Sequence, residues 1–290
     1  MKKTLYILLA ALLTVSCSQG QSAAADDDTL FQISLLQALM SGDFDGSVTL
    51  GELKEHGDFG LGTFNAAAGE MVVLDGVVYR CLEDGSVIIP DEATTTPFAN
   101  VTSFESDFSS KVEQLSSLSE LEDEIVGIMR KYGVEANCLC AVKVSGHFDK
   151  IRARSLPAQE KPYPTLQQAM ATSERIFEFE DVTGTLLGYF FPEYCSSFNI
   201  VGWHFHFLSS DCSRGGHVLD VASSKSGLKV EIDLTDKINI LLPYGSGVFG
   251  KTDFSKDFTD AIQEVESSVK AAEDSSRDER SSEKNINFTF

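Results

Sequence analysis

The sequence predicts an α+β protein that is rich in β-structure, with two mixed or antiparallel β-sheet halves and a few short helices. Three observations predict this class. Runs of β-branched and aromatic residues are broken by pairs such as Asp75-Gly76 and Asp84-Gly85, which favour β-hairpins. Helical periodicity is confined to a few segments. A content of 42% hydrophobic residues with only 7 prolines is typical of a folded chain rather than a disordered one.

The individual elements follow from local patterns along the chain. Helices are predicted where apolar residues recur every three or four positions, at 30–40, 49–56, 115–132, 165–172 and 257–273. The helix predicted at 115–132 is followed by Gly133, a residue type that favours helix C-termini. Strands are predicted for alternating or β-branched runs, beginning with a hairpin meander at 71–89 and continuing at 99–108, 136–144, 148–153, 175–182, 185–191, 200–208, 216–222, 227–234 and 238–243.

Changes in composition divide the chain into five predicted parts: a signal peptide at 1–17, a flexible tether at 18–28, an N-terminal β-rich domain at 29–157, a C-terminal β-rich domain at 158–273 and a polar tail at 274–290. The C-terminal domain is expected to carry the metal site described below. The segment KPYP at 161–164 places the break between the two domains, although a sheet that continues across it stays an open alternative.

The N-terminus has the pattern of an exported protein. Lys2 and Lys3 precede an apolar run at 4–15 that is too short to span the ~30 Å hydrocarbon core of a bilayer. The run ends in LTVSC, which resembles a bacterial lipobox whose cysteine, here Cys17, becomes lipidated. We therefore expect a protein of the bacterial cell envelope, either periplasmic or anchored to the membrane through Cys17. A plain signal peptide that is cleaved elsewhere is the alternative.

The charge balance argues against some partners. The chain has 44 acidic and 23 basic residues, a formal net charge of −21 that repels nucleic acid and anionic membrane surfaces. No nucleic-acid partner is expected, and contact with a membrane is expected only through Cys17. An anionic substrate would need a local positive centre, such as an arginine or a metal ion.

The segment GWHFHF at 202–207 is the most informative motif. Alternation on a strand sends His204 and His206 to one face and the aromatic residues to the other. A turn before His217 would return the chain as an antiparallel strand and bring a third imidazole close. Three histidines with an open position are typical of a catalytic zinc site, although imidazole also suits iron, copper and nickel. The alternative is three hydrogen-bonded core histidines.

Cys138 and Cys140 are interpreted as buried thiols, since the chain lacks a second close cysteine pair.

Six segments together resemble the alpha-acetolactate decarboxylase family: GLGTFN at 60–65, GEM at 69–71, RSLP at 154–157, TGTLLG at 183–188, GWHFHF at 202–207 and GGHVLD at 215–220. The similarity extends from about residue 30 to residue 266. It implies a two-domain β-rich fold, a homodimer, and zinc-dependent conversion of (S)-2-acetolactate into (R)-acetoin and CO2.

The resemblance also implies roles for particular residues. Zinc would be held by three histidines, which correspond to His204, His206 and His217. The family's active-site residues correspond to Glu70, Arg154, Thr63 and, at the C-terminal end, Glu266, which lies in a Val-Glu-Ser context that Glu264 lacks.

The chemistry of the reaction agrees with these residue types. Loss of CO2 from a 3-oxo acid develops charge on the ketone oxygen and gives an enediolate. A metal that chelates the substrate hydroxyl and carbonyl oxygens would stabilise this species. Arg154 could bind the carboxylate. Either Glu70 or Glu266 could deliver the proton that sets the handedness of the product, and the sequence does not decide between them.

Two other functions remain possible at this stage. A cupin is a metal-binding β-barrel with a His-x-His motif followed by an acidic residue, which His206 and Asp211 loosely imitate, but cupins place the last histidine much further along the chain. A surface lipoprotein could instead use the metal to hold its fold or to bind a partner, without catalysis.

Overall fold

The computed structural model describes residues 28–224 and 227–266. The predicted signal peptide, the tether before residue 28 and the tail at 274–290 lie outside these residues. In the first half the elements are β1 (Thr29–Ile33), α1 (Leu36–Met40), β2 (Val48–Thr49), α2 (Leu50–Leu53), β3 (Phe59–Thr63), β4 (Glu70–Leu74), β5 (Val77–Cys81), β6 (Val87–Ile88), β7 (Thr95–Thr96), β8 (Ala99–Thr102), β9 (Phe108–Val112) and α3 (Leu118–Lys131). They are followed by β10 (Leu139–Ser155), α4 (Leu166–Ser173), β11 (Arg175–Phe191), β12 (Gly202–Ser209), β13 (Gly215–Ala222), β14 (Leu228–Thr235), β15 (Lys237–Leu241) and α5 (Thr259–Glu266).

The first sheet has seven strands in the order β15-β1-β8-β3-β4-β5-β6. Its strands are antiparallel except for β1 and β15, which run parallel. The predicted meander is confirmed in β4, β5 and β6. Asp75 and Gly76 join the first two of these strands with φ angles of 51° and 75°, the left-handed conformation that a tight two-residue hairpin turn requires.

The second sheet has six antiparallel strands in the order β11-β12-β13-β10-β14-β9. Strands β10 and β11 form a long hairpin that pairs from Cys140 opposite Phe190 to Ser155 opposite Arg175. The hairpin of β12 and β13 pairs with β11 on one side and with β10 on the other. The pairings therefore close into a ring, which fixes β12 and β13 from both edges.

The two sheets pack face to face around an apolar core. Phe59, Leu61 and Val72 of the first sheet lie in one buried cluster with Leu187 and Tyr189 of the second. The outer face of the second sheet is covered by α3, and the outer face of the first sheet packs in a cluster with α2. The hydroxyl of Tyr189 donates a hydrogen bond to the carbonyl of Phe59 at 3.2 Å, which ties the sheets together.

The predicted fold class is confirmed, and four local predictions need correction. The strand predicted at 99–108 ends at Thr102, and residues 103–107 connect β8 to β9. The predicted helix at 30–40 begins as strand β1, because residues 31–33 pair with β8 and β15 far along the sequence, and only Leu36–Met40 is helical. The predicted strands at 136–144 and 148–153 are one strand, as are those at 175–182 and 185–191, because residues 145–147 of β10 pair with 183–185 of β11 across both predicted gaps.

The sheets do not divide at the predicted domain boundary of residue 157. The second sheet takes β9 and β10 from before this position and β11 to β14 from after it, whereas β15 returns to the first sheet. Within residues 28–224 and 227–266, no helix combines the length and hydropathy needed to cross a bilayer.

Candidate metal centre and active site

One row of the second sheet carries the predicted metal ligands. His206 on β12 is paired with His217 on β13, and His217 is paired with Arg154 on β10. Side chains at paired positions lie on the same face of a sheet, and His204 shares that face because it lies two residues before His206. Strand register therefore places three imidazoles and a guanidinium together.

The three imidazoles converge on one point. One ligand nitrogen from each of His204, His206 and His217 lies within 4.8 Å of the others, and among the described residues these three form the group that could hold a metal ion. The Nε2 of His204 and the Nδ1 of His217 are 3.1 Å apart. Cys138 and Cys140 do not belong to this group. The histidine cluster predicted from the sequence spacing is thus present.

A carbonyl of the first sheet orients His206. A carbonyl oxygen can only accept a hydrogen bond, so the Nδ1 of His206 donates to the carbonyl of Met71, at a distance of 2.7 Å. This contact leaves Nε2 without a proton and facing the other imidazoles. The Nε2 atom is buried and has no hydrogen-bond partner. A buried nitrogen in this state, with its other ring nitrogen bound to a carbonyl, fits a metal ligand.

Burial also holds the imidazoles in the form that binds metal. Desolvation, which is the larger cause, and the charge of the nearby Arg154 together lower the pKa of His204 to about 3. Desolvation also lowers the pKa of His206 and His217 well below the usual value, with further lowering from neighbouring positive groups. Neutral imidazoles are the state required of a metal ligand.

The first sheet supplies an acid and a hydroxyl to the same site. Thr63 on β3 is paired with Glu70 on β4. The Oε2 of Glu70 lies 3.6 Å from the Nε2 of His206, and the Glu70 side chain is 13% exposed. The hydroxyl of Thr63 donates a hydrogen bond to the carbonyl of Gly69 at 2.9 Å. Both predicted residues therefore face the histidines from the opposite sheet.

The connection between β3 and β4 adopts a costly backbone conformation. Ala66 and Ala67 have φ angles of 65° and 50°, in the left-handed region that alanine rarely occupies. Backbone hydrogen bonds from Ala66 to Phe44 and from Gly69 to Leu156 hold this segment in place. The strained turn brings Ala67 and Glu70 to the edge of the cavity.

Arg154 lies buried at the side of the histidines. Its Nη1 donates to the Sδ of Met170 at 3.0 Å, and its Nε lies 3.6 Å from the Oε1 of Glu174. Arg152, two residues earlier on the same strand, is paired with Asp220 beyond a shift in register between residues 152 and 153. Arg152 is not among the residues that line the cavity, so the structure separates the two arginines.

The histidines open into a small cavity of about 60 Å³ between the sheets. Thr63, Glu70 and Arg154 line it, and its apolar walls come from Leu36, Leu39, Ala67, Phe98, Leu156, Leu166, Met170 and Val265. A larger open cleft of about 1070 Å³ lies nearby, lined by the loop at 243–258 and parts of α4 and α5, but it does not contain the histidines. The predicted site residues Thr63, Glu70, Arg154 and the three histidines therefore line the small cavity and not the larger cleft.

Helix α5 covers one side of this cavity through Val265. Glu266 is the last residue of α5, and its side chain lies outside the described part of the structure. The neighbouring Glu264 accepts a hydrogen bond from the Nε2 of Gln167 and is exposed. Met170 and Glu174 were not predicted, since no motif or spacing in the sequence indicates them. Met71 and Val265 lie within segments used for the family resemblance, but no role was predicted for either residue.

The geometry agrees with the result of comparison with known families. The model of the family described as alpha-acetolactate decarboxylase matches residues 30–256. The chain belongs to the alpha-acetolactate decarboxylase family. The alpha-acetolactate decarboxylase of Methanosarcina mazei is 41% identical over 239 residues, which cover 82% of this chain and 80% of that protein. The Bacillus subtilis alpha-acetolactate decarboxylase is 31% identical over 82% of this chain and 91% of its own length.

Solved structures lead to the same family. The crystal structure of alpha-acetolactate decarboxylase from Bacillus subtilis strain 168 aligns with a TM-score of 0.76 at 30% identity, covering 82% of this chain and 99% of that one. The prediction of an enzyme of the carboxy-lyase class is therefore confirmed, as is the predicted family. The roles of the individual site residues stay predictions.

Proposed function

We propose that this chain is a zinc-dependent enzyme that decarboxylates (S)-2-acetolactate to (R)-acetoin and CO2. The observation that carries the proposal is the convergence of His204, His206 and His217 on one small cavity that Arg154 and Glu70 also line, in a chain of the alpha-acetolactate decarboxylase family.

The donor set favours zinc. Three neutral imidazoles with an open position are typical of catalytic zinc sites, whereas structural zinc sites are usually closed by thiolates. The Met71 carbonyl fixes the orientation of His206, because metal-bound histidines commonly donate their other ring N–H to a carbonyl or carboxylate. When bound, the ion would supply Lewis acidity at the ketone oxygen, where negative charge develops as CO2 leaves.

Arg154 would bind the substrate carboxylate. A guanidinium presents a planar fork of donors that matches the two oxygens of a carboxylate. The cavity is otherwise lined mainly by apolar groups, and burial strengthens the attraction between opposite charges. This local positive centre would let an anionic substrate enter a protein whose net charge is −21.

Glu70 would deliver the proton. After the carboxylate carbon leaves as CO2, the remaining electron pair forms an enediolate, and protonation at carbon completes acetoin. Glu70 reaches the cavity from the first sheet, opposite the row that holds Arg154, so it would protonate the enediolate from one face. A single face of attack gives a single enantiomer. Glu266 is the second candidate for this proton.

The apolar walls would protect the reaction from water. Leu39, Leu166 and Val265 close the cavity from α1, α4 and α5. Exclusion of water strengthens the electrostatic interactions within the site. The small volume favours a short, branched keto-hydroxy acid over a larger one.

Metal analysis combined with an acetoin assay tests this function. We expect about one zinc ion per chain, by analogy with other sites that have three histidine ligands. Chelation should abolish turnover of (S)-2-acetolactate, and added zinc should restore it. Full turnover by protein that retains less than about a tenth of its metal would contradict the proposal.

We also propose an envelope location and a homodimer, neither of which the described residues test. The location is supported by Lys2, Lys3 and the lipobox-like segment that ends at Cys17. Cys17→Ser should release the protein from the membrane fraction, and an unchanged membrane fraction would contradict lipidation. Light scattering of the purified protein measures the oligomeric state, and a monomeric mass would contradict the homodimer.

A further inference from the structure

A single short helix provides two partners for Arg154. Met170 and Glu174 lie four residues apart, within α4 and at its C-terminal cap, so they lie on the same side of the helix. Met170 accepts from the Nη1 of Arg154 at 3.0 Å, and the Oε1 of Glu174 lies 3.6 Å from its Nε. A capping box between Thr165 and Gln168 fixes the start of this helix.

The buried surroundings of Arg154 mean that a nearby carboxylate stabilises the charge of its guanidinium strongly. The side chains of Arg154 and Glu174 are 4% and 15% exposed, so water screens their charges weakly. Arg154 is paired with His217 and lines the cavity together with the three imidazoles, whereas Glu174 does not line it. A guanidinium beside a site for a metal cation is repelled by that cation, and a carboxylate next to the guanidinium but outside the cavity offsets the repulsion.

The two partners differ in strength. A thioether is a weak acceptor, so a substrate carboxylate can displace Met170 from the guanidinium at little cost. Glu174 is farther than hydrogen-bond distance but carries a full charge, so it acts on the whole guanidinium rather than on one N–H group.

We propose that Glu174 is a positioning residue for substrate binding: it holds the guanidinium of Arg154 beside the cavity, while Met170 occupies a donor that the substrate carboxylate takes over. This inference rests on the proposed function, in which Arg154 binds that carboxylate. Glu174 itself does not line the cavity.

Strand β11 offers a matched control. Glu178 and Lys150 form a shorter ion pair, with 2.7 Å between Oε1 and Nζ, but their side chains are 44% and 47% exposed. Exposed pairs contribute little because water and salt screen them. Glu178→Gln removes the same charge four residues from Glu174 without touching the site.

Steady-state kinetics of the metal-loaded protein test the proposal. Glu174→Gln should raise KM for (S)-2-acetolactate about tenfold with less than about a threefold change in kcat, because it weakens an interaction that both ground and transition states make. Its metal content should equal that of the unchanged protein. Glu174→Asp keeps the charge and should recover at least half of the loss, and Glu178→Gln should have no effect. A normal KM in a folded Glu174→Gln protein would overturn the inference.

A double-mutant cycle separates positioning from a merely structural role. If Glu174 acts through Arg154, Glu174→Gln should not raise KM further in an Arg154→Lys background. An equal, additive increase in both backgrounds would show that Glu174 acts elsewhere and would overturn the inference. If Glu174→Gln fails to fold, Glu174→Asp gives the same comparison, because the shortened side chain should raise KM only when Arg154 is present.

The same set of variants distinguishes this inference from the proposed function. A normal KM and kcat in Arg154→Lys would remove Arg154 from the proposed reaction, and this inference would fail with it. An impaired Arg154→Lys protein together with a normal Glu174→Gln protein would leave the proposed function intact and overturn only the role of Glu174.

Discussion

The two sheets supply different groups to one cavity. The second sheet contributes three imidazoles and a guanidinium, which lie on neighbouring strands in direct register. The first sheet contributes a carboxyl group, a hydroxyl group and the Met71 carbonyl. The first set is positioned by pairing within a sheet and the second by the packing of one sheet against the other. The comparison suggests that the metal ligands all come from the second sheet, whereas their orientation and turnover depend on how the two sheets meet.

The largest effect is expected from the second sheet. His217→Ala removes one of three ligands, so we expect loss of the metal and a decrease in turnover of at least about 1000-fold. Metal content and acetoin production are the measurements. His147→Ala is the control, because His147 contacts Asp149 and Asp181 away from the cavity. Retention of metal by the His217 variant would show that the three histidines are not the metal ligands.

A large but different effect is expected from the first sheet. Glu70→Gln keeps the shape of the side chain but removes the transferable proton, so turnover should decrease about 100-fold or more while the metal stays bound. Glu264→Gln is a matched control, since Glu264 is exposed and bonds to Gln167. Simultaneous loss of metal in the Glu70 variant would indicate that Glu70 is a metal ligand. The first sheet would then contribute to metal binding as well as to turnover.

A glycine substitution on β11 tests how closely the strands of the second sheet must pack. Gly188 lies opposite Phe205, and a Cβ atom there would be 2.2 Å from the Cδ1 of Phe205 and 2.8 Å from the carbonyl oxygen of His204. Gly188→Ala should therefore displace the strand that carries the histidines, with a loss of about 2 kcal/mol in the free energy of unfolding and weaker metal binding. Denaturant titration and metal competition measure both quantities.

The control for this glycine substitution lies in α3. A Cβ atom at Gly127 would contact nothing within 4 Å. Gly127→Ala should raise the free energy of unfolding by about 0.5–1 kcal/mol, because glycine loses more backbone entropy in a helix than alanine does. If Gly188→Ala binds metal normally, the row does not depend on close contact between β11 and β12.

The smallest effect is expected from Thr63. Thr63→Ala removes the hydrogen bond to the Gly69 carbonyl, which should cost about 1 kcal/mol and lower turnover less than about tenfold. Thr63→Ser should behave like the unchanged protein because the hydroxyl remains. Acetoin assays on both variants measure the effect. A decrease as large as that of Glu70→Gln would give the hydroxyl a direct part in the reaction.

The sequence predicts the second sheet's contribution better than the first's. Alternation alone places His204 and His206 on one face, and the short return to His217 completes the group, so local spacing was sufficient. Glu70 and Arg154 have no such local signal, and only the resemblance to a family indicates them. Their position depends on strand register and sheet packing between residues far apart in the chain, as does the Met71 carbonyl.

The same reasoning explains the errors in the fold. The apolar spacing at 30–40 fits a helix, but β1 is decided by pairing with residues 237–241 and 99–101. The strands predicted at 136–144 and 148–153 leave a gap at 145–147, but these residues pair with 183–185 of β11, so the strand continues through them. Helix α3 and the meander, which depend on near neighbours, were predicted correctly.

The hairpin that pairs His206 with His217 also determines where the chain can accept inserted residues. Residues 210–213 form the turn between β12 and β13, so extra codons there would extend a loop and leave the ladder unchanged. One extra codon between Gly215 and His217 would instead move that imidazole to the opposite side of the strand. Homologues should therefore differ in length at the turn and keep a fixed count of residues within the strands.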